Sequence, residues 1–197
     1  MQIKVKAMGP YQTNCYIVTV DNKEFIIDPG VGATEWVKAN VTHPVAILNT
    51  HGHFDHVWSN AALQRELGIK LYTPKADVPL LQDSSWMPDL PPSTPDVTID
   101  GDTDLEFDGV IVKFRHFPGH TPGSSTIEIG DAMFSGDFIF ERSIGRTDFP
   151  MSSPQDMKKS LARFKKLEYD KTIYPGHGST TTIQQEQKHT DYWINTL

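Results

Sequence analysis

The sequence predicts an α/β protein: a four-layer αββα sandwich made by residues 1–197 as a single domain. Three observations predict it. Short segments rich in β-branched residues alternate with stretches of helical periodicity. The second half repeats the plan of the first, strands and then helix. The segment "NCYIVTVDNKEFIIDPG" has a counterpart in "SSTIEIGDAMFSGD", each a hairpin followed by an Asp beside Gly or Pro. Two such sheets facing each other, with helices outside, give four layers.

The elements follow in order. "QIKVKAM", "NCYIVTV" and "KEFIIDPG" read as strands, punctuated by "GP", "DN" and "DPG" turns. "PVAILNT" is apolar on both sides, as an inner strand is. His56 to Leu67 reads as one helix with an apolar face of Ala61, Ala62, Leu63 and Leu67, stopped by Gly68. "IKLYT" is a strand, and Pro74 to Leu81 carries a weaker helical pattern. Asp83 to Pro95 holds four prolines and reads as a surface loop. "GVIVKFRHF", "SSTIEIG" and "DAMFSGD" are strands. A helix over "SSPQDMKKSLARFKKL" has Ser153 as N-cap, Pro154 in its first position, and apolar Met157, Leu161, Phe164 and Leu167. "KTIYPGHG" is a last strand, and "TTIQQEQKHTDYWINTL" a closing helix.

Composition narrows the function. With 38% hydrophobic and 22% charged residues the chain can build a core, so disorder is excluded. A net charge of −7 without a basic block argues against nucleic acid or an anionic membrane as partner. The single cysteine, Cys15, rules out an internal disulfide and a Cys-rich zinc site, and reads as a buried strand residue. The start "MQIKVKAMGP" lacks the apolar run of a signal peptide, so a cytoplasmic protein is expected.

The chemistry gathers at strand ends. "VAILNT" runs into His51, His53, Asp55 and His56, "VKFRHF" into Pro-Gly-His120, "DAMF" into Ser-Gly-Asp137, and "KTIY" into Pro-Gly-His177. Alternate residues of an extended segment face one way, so His51 and His53 can grip one ion. Asp55 and His56, past a bend, can face a second. Seven ligands exceed one tetrahedral zinc and suit two divalent ions with Asp137 bridging and water in the open positions. His116 lies four before His120 but within the strand and is read as structural; His43 and His189 read as surface histidines.

These motifs carry a resemblance. "THGHFDH", "PGHTPGS", "FSGD" and "YPGHGSTTTI" are similar, in order, to the signature motifs of the metallo-β-lactamase superfamily, and nearly the whole chain takes part. Within it the chain looks most like the short glyoxalase II-like (hydroxyacylglutathione hydrolase-like) thioester hydrolases, to which "GRTDF" at Gly145 to Phe149 is also similar. The resemblance implies one metal on His51, His53 and His120, a second on Asp55, His56 and His177, and Asp137 between them, with Asp55 and Asp137 catalytic. Asp28, in "IIDPG", matches a position that supports the metal histidines from behind; a plain Asp-Pro-Gly turn is the other reading. Two departures stand out. The chain ends twenty residues after His177, where glyoxalase II continues into a helical glutathione-binding domain. Glu141 and Arg142 occupy positions where the family more often has small residues. Arg142 and Arg146 are the remaining substrate-binding candidates, and for Arg146 a local ion pair with Asp148 is equally open.

The expected function is metal-dependent hydrolysis of a small-molecule thioester of the S-lactoylglutathione type, by attack of metal-bound hydroxide. The ions are expected to be zinc, with iron or manganese as alternatives. A thiolate leaves near neutral pH without a general acid, which favours thioesters over amides. The alternative is a mononuclear-iron persulfide dioxygenase, which uses His51, His53 or His120 with Asp137 and leaves the second site empty, and further off a metal-dependent nuclease. A β-lactamase fits less well, because its second metal site usually lacks a bridging Asp.

Overall fold

The computed structural model describes residues 1–82 and 87–197, and the chain forms two compact units, Met1–Asp100 and Gly101–Leu197. In the first, β1 (Gln2–Met8), β2 (Thr13–Val20) and β3 (Lys23–Ile27) form an antiparallel meander. The β2–β3 turn is Asp21-Asn22, both with positive φ, as a two-residue hairpin requires. Helix α1 (Ala33–Asn40) then crosses to β4 (Pro44–Leu48), parallel to β3. Helices α2 (Phe54–Val57) and α3 (Asn60–Leu67) lead to β5 (Lys70–Pro74), a 3-10 helix over Lys75–Leu81, and β6 (Val97–Ile99). The sheet order is β1-β2-β3-β4-β5-β6, so β4 is an inner strand, with Ala46, Ile47 and Leu48 fully buried.

The second unit follows the same plan. Strands β7 (Thr103–Phe107), β8 (Val110–His116), β9 (Ser125–Ile129) and β10 (Ala132–Gly136) form a meander. A small hairpin, β11 (Ile139–Phe140) and β12 (Ser143–Ile144), precedes α4 (Pro154–Phe164). The chain then returns as β13 (Thr172–Pro175), parallel to β10. Strand β14 (Thr181–Thr182) and helices α5 (Ile183–Gln187) and α6 (Thr190–Thr196) complete the unit. The sheet order is β14-β13-β10-β9-β8-β7. Thus β2-β3-α1-β4 and β9-β10-α4-β13 are both a hairpin followed by a helical crossover to a parallel neighbour. This is the repeat visible in the sequence.

Several elements differ from the sequence reading. The expected helix from His56 to Leu67 is two short ones. Its break is held by the N–H of Ser59 on the Pro29 carbonyl (2.9 Å) and the Ser59 hydroxyl on the Gly30 carbonyl (2.7 Å). Asn60 and Leu63, not the alanines, form the buried face of α3. The closing helix is likewise broken, between α5 and α6, where the Thr190 hydroxyl takes the Gln187 carbonyl (2.8 Å). The weak helix near Pro74 is the 3-10 turn, with Pro79 inside it. Of the proline-rich loop from Asp83, residues 83–86 lie outside the described residues. The remainder is not all surface: Leu90 and Ser93 are buried, and the N–H of Ser93 reaches the Leu81 carbonyl (3.2 Å). Helix α1 and strand β7 are not read from the sequence, and strands β6 and β14 and the hairpin β11-β12 have too few residues to show a period. Among the described residues, no helix is long and apolar enough to cross a membrane.

Helix α4 starts as its sequence predicts but ends at Phe164, so Leu167 lies past the helix and is only partly buried. The Ser153 hydroxyl accepts the N–H of Asp156 (3.1 Å), and Met157, Leu161 and Phe164 are buried against Phe117, Phe138 and Ile173. Phe164→Ala should cost about 3–5 kcal/mol of stability and Ser153→Ala about 1 kcal/mol, measured by urea unfolding. A smaller loss for Phe164→Ala than for the cap variant would show that this packing is misjudged.

Candidate functional site

In the first unit the site begins where β4 ends. Asn49 and Thr50 are buried; the Asn49 side-chain oxygen accepts from Asn60 Nδ2 (2.8 Å) and the Thr73 hydroxyl (2.9 Å), which anchors the strand end. His51 and His53 follow, 1% and 5% exposed, with ring centroids 4.9 Å apart. Gly52 between them has no room for a side chain: a Cβ would lie 2.8 Å from the Asp77 carbonyl oxygen and 2.9 Å from Leu80 Cβ. Its N–H is held by the buried Asp77 carboxylate at 2.9 Å. His53 occupies the position just before α2, which carries Asp55 and His56. The fully buried His56 ring lies 4.1 Å from that of His51, and its Nε2 is 3.5 Å from Asp55 Oδ2. Asp55 Oδ2 also accepts the Thr13 hydroxyl (2.6 Å). Gly30 abuts the Asp55 carbonyl so closely that a Cβ there would lie 2.1 Å from the oxygen.

Asp28 fixes how these imidazoles present their nitrogens. It ends β3 in a left-handed conformation, φ +48°, and is 2% exposed. Its Oδ1 accepts the N–H of Thr50 (2.8 Å), and its Oδ2 accepts the Thr50 hydroxyl (2.6 Å) and His56 Nδ1–H (3.0 Å). The one hydroxyl proton of Thr50 is therefore spent on Asp28, so Thr50 Oγ1 acts as acceptor toward His51 Nδ1, 3.0 Å away. Both histidines carry their proton on Nδ1. In the neutral ring this places the lone pair on Nε2, the form a metal takes. Ligand atoms of Asp28, His51 and His56 lie within 4.8 Å of one another, but the oxygens of Asp28 are engaged in holding this network.

In the second unit, Pro118 and Gly119 deliver His120 past the end of β8. Gly119 sits at φ +145°, and a Cβ there would meet Met157 at 2.6 Å. His120 Nδ1 lies 2.8 Å from the Arg146 carbonyl, which can only accept, so its lone pair is also on Nε2. Asp137 follows β10 and His177 follows β13. The two parallel strands are tied at this end by the N–H of Gly176 on the Gly136 carbonyl (2.8 Å). Asp137 Oδ2 lies 3.5 Å from His120 Nε2 and 3.5 Å from His177 Nε2. Gly145 packs against this cluster: a Cβ would lie 1.8 Å from the Asp137 carbonyl oxygen and 3.1 Å from His120 Cγ.

These separations fit metal ions. Two donors each about 2.1 Å from one tetrahedral ion stand about 3.4 Å apart. The Asp55–His56, His120–Asp137 and His177–Asp137 separations, each 3.5 Å, are near that value and longer than ordinary hydrogen bonds. His116 has other business. Its Nε2 donates to the Pro122 carbonyl (2.8 Å) and its backbone N–H to Asp102 (2.9 Å). Arg146 pairs with Asp148 through Nε (2.9 Å) and one terminal nitrogen (2.7 Å), its guanidinium 4.3 Å from the Phe149 ring centroid. Arg142 is exposed on the turn between β11 and β12.

A family model described as the metallo-beta-lactamase superfamily matches residues 8–177. The chain belongs to the metallo-beta-lactamase superfamily. Its mixed α/β fold, two large sheets with helices, is that of the superfamily, whose members are generally metal-dependent hydrolases. Among relatives, it is 32% identical to hydroxyacylglutathione hydrolase GloC of Haemophilus influenzae, over 95% of this chain and 96% of that one. Among solved structures, the BLEG-1 B3 metallo-beta-lactamase superposes with a TM-score of 0.87 at 29% identity, over 98% and 99% of the two chains. TTHA1623, in a di-iron-bound form, gives a TM-score of 0.79 at 32% identity, over 93% and 96%.

Thr13, Asp77, Asn49 and Gly30 are parts of the site that sequence reasoning passed over. Thr13 and Asp77 act on the candidate-ligand segment from 42 and 25 residues away, and nothing in their local sequence marks them. Asp28→Asn should weaken metal binding about 10–100-fold, the usual effect of losing a residue that orients histidine ligands. Competition with a chromophoric chelator would measure this, with circular dichroism as the control for folding. Unchanged affinity would show that Asp28 serves only its turn.

Proposed function

We propose that His51, His53 and His120 hold one divalent ion, that Asp55, His56 and His177 hold a second, and that Asp137 bridges them. In this reading the two units act as one metallo-β-lactamase-like domain over residues 1–197, hydrolysing a small-molecule thioester of the S-lactoylglutathione type. The observation that carries it is the position of Asp137 Oδ2, equally far from the two imidazole nitrogens assigned to different ions. The likeness to GloC along nearly the whole of both chains supports the substrate class.

Such ions supply Lewis acidity to a carbonyl and an ionised water near neutral pH. The chain supplies the rest. Asp28, through Thr50 and directly, keeps His51 and His56 in the tautomer that ligates. The Arg146 carbonyl does the same for His120. Thr13 fixes the carboxylate of Asp55. Gly30 and Gly145 let backbone approach both carboxylate ligands without a side chain intervening. The leaving thiolate, with a thiol pKa of about 8.5, departs without a general acid. Zinc is our assignment, with iron, as in the di-iron form of TTHA1623, as the variant to examine. A small molecule, rather than nucleic acid or membrane, suits a chain of net charge −7.

Elemental analysis of protein purified without chelators should give close to two metals per chain. The same sample should turn over lactoylglutathione and simple acyl thioesters faster than a β-lactam, the substrate class of BLEG-1-type enzymes. One iron per chain, with oxygen consumed on adding a persulfide, would replace this reading by the dioxygenase. Asp137→Ala should lose activity beyond the about 10–100-fold typical of residues that only orient ligands, while His116→Ala keeps most of it. Equal losses in folded variants would mean the ligands are misassigned.

A further inference from the structure

The second unit carries a cleft of about 350 Å³ lined by Glu141, Arg142, Gln185, Glu186, Lys188 and His189. Ligand pockets of this size are usually mostly apolar. All six residues here are polar or charged, so a ligand gains by charge pairing. Glu186 is buried and already occupied: its Oε2 accepts the Arg142 N–H (2.9 Å) and its Oε1 the Thr181 hydroxyl (2.6 Å). The other five are exposed. Of the five arginines in the chain, Arg65, Arg115, Arg146 and Arg163 each pair with a carboxylate. Arg142 makes no salt bridge among the described residues, and neither do Glu141 or Lys188, although all three line one cleft. Opposite charges are thus held side by side without collapsing on one another.

The backbone holds them there. Arg142 sits at φ +55°, a conformation costly for a long side chain and typical of glycine or asparagine. The buried Glu186 carboxylate pins it by accepting its N–H.

We propose that this cleft is a binding site for a zwitterion, a molecule carrying both a carboxylate and an ammonium, such as a free amino acid or short peptide. The carboxylate pairs with Arg142 and Lys188, beside the His189 ring, and the ammonium pairs with Glu141. Single exposed ion pairs contribute little, so a ligand must engage both signs together. Two cations against the two carboxylates leave the lining nearly neutral, which suits a zwitterion better than a simple anion.

Glycylglycine is the probe, and the imidazole resonances of His189, assigned through His189→Gln, are the readout in the full-length, metal-loaded protein. Glycylglycine should move them saturably, and acetate or methylammonium at matched ionic strength should bind more weakly. Arg142→Gln and Glu141→Gln should each weaken binding about two- to fivefold, the scale of one exposed ion pair, and Arg142→Lys should recover part of it. Absence of a saturable shift, equal binding of acetate, or unchanged binding in both Gln variants would overturn the proposal. The readout needs no turnover, so its failure is separate from failure of the thioesterase reading. Steady-state kinetics then identifies the source of the zwitterion. If it is part of the substrate, Arg142→Gln raises KM more for a thioester with a zwitterionic tail than for one without. If it is a separate ligand, the ratio of the two KM values stays that of the parent.

Discussion

The carboxylate of Asp28 accepts three hydrogen bonds, two from Thr50 and one from His56, and the arrangement of the buried histidines of the first unit depends on them. The arrangement works because a hydroxyl has one proton. Once Thr50 gives it to Asp28, its oxygen becomes an acceptor toward His51, so one buried carboxylate sets the tautomers of two histidines. Buried polar networks are expensive when incomplete and rigid when complete. This one starts at the end of β3 and reaches across to the end of β4, two strands already locked in parallel register.

The second unit uses the same strand plan for a different purpose. Asp137 follows β10 as Asp28 follows β3, and His177 follows β13 as His51 follows β4. Yet Asp28 spends its oxygens on hydrogen bonds, whereas Asp137 turns Oδ2 toward two imidazole nitrogens. The local backbone decides between these roles. Asp28 is twisted to φ +48° behind its loop. The carbonyl of Asp137 is met by Gly145, at a distance no other residue could tolerate. One duplicated plan thus yields an orienting carboxylate in one unit and a ligand-type carboxylate in the other.

The central strands and the turns that carry the candidate ligands were legible because they follow rules of short range. "VAIL" had to be an inner strand since both of its faces are apolar, and it is. "DN" between two β-branched runs had to be a hairpin turn, and both residues have positive φ. "SPQDM" announced the start of α4 through its serine cap and N-terminal proline. What could not be read was set by distant partners. The break between α2 and α3 comes from Pro29 and Gly30, about thirty residues upstream, taking the N–H and hydroxyl of Ser59. The buried anchors Leu90 and Ser93 looked like part of a surface loop, because proline content reports local stiffness and not burial. Thr13 and Asp77 carry no local mark of the contacts they make with Asp55 and Gly52.

Helix α2 shows why those distant contacts matter for chemistry. It has four residues, too few to hold itself, since the first helical turn costs more conformational entropy than its hydrogen bonds return. Its place is set from outside: Thr13 on Asp55, Asp28 on His56, Gly30 against the Asp55 carbonyl, and Ser59 on Gly30. Each contact comes from the segment between β1 and the residues just after β3, so the antiparallel meander serves as the template for the loop that carries four of the seven proposed ligand residues. These four candidate ligands are therefore positioned by the same interactions that complete the fold of the first unit. A substitution at Asp28 or Gly30 acts on both, whereas a change on the exposed face of α3 reaches neither.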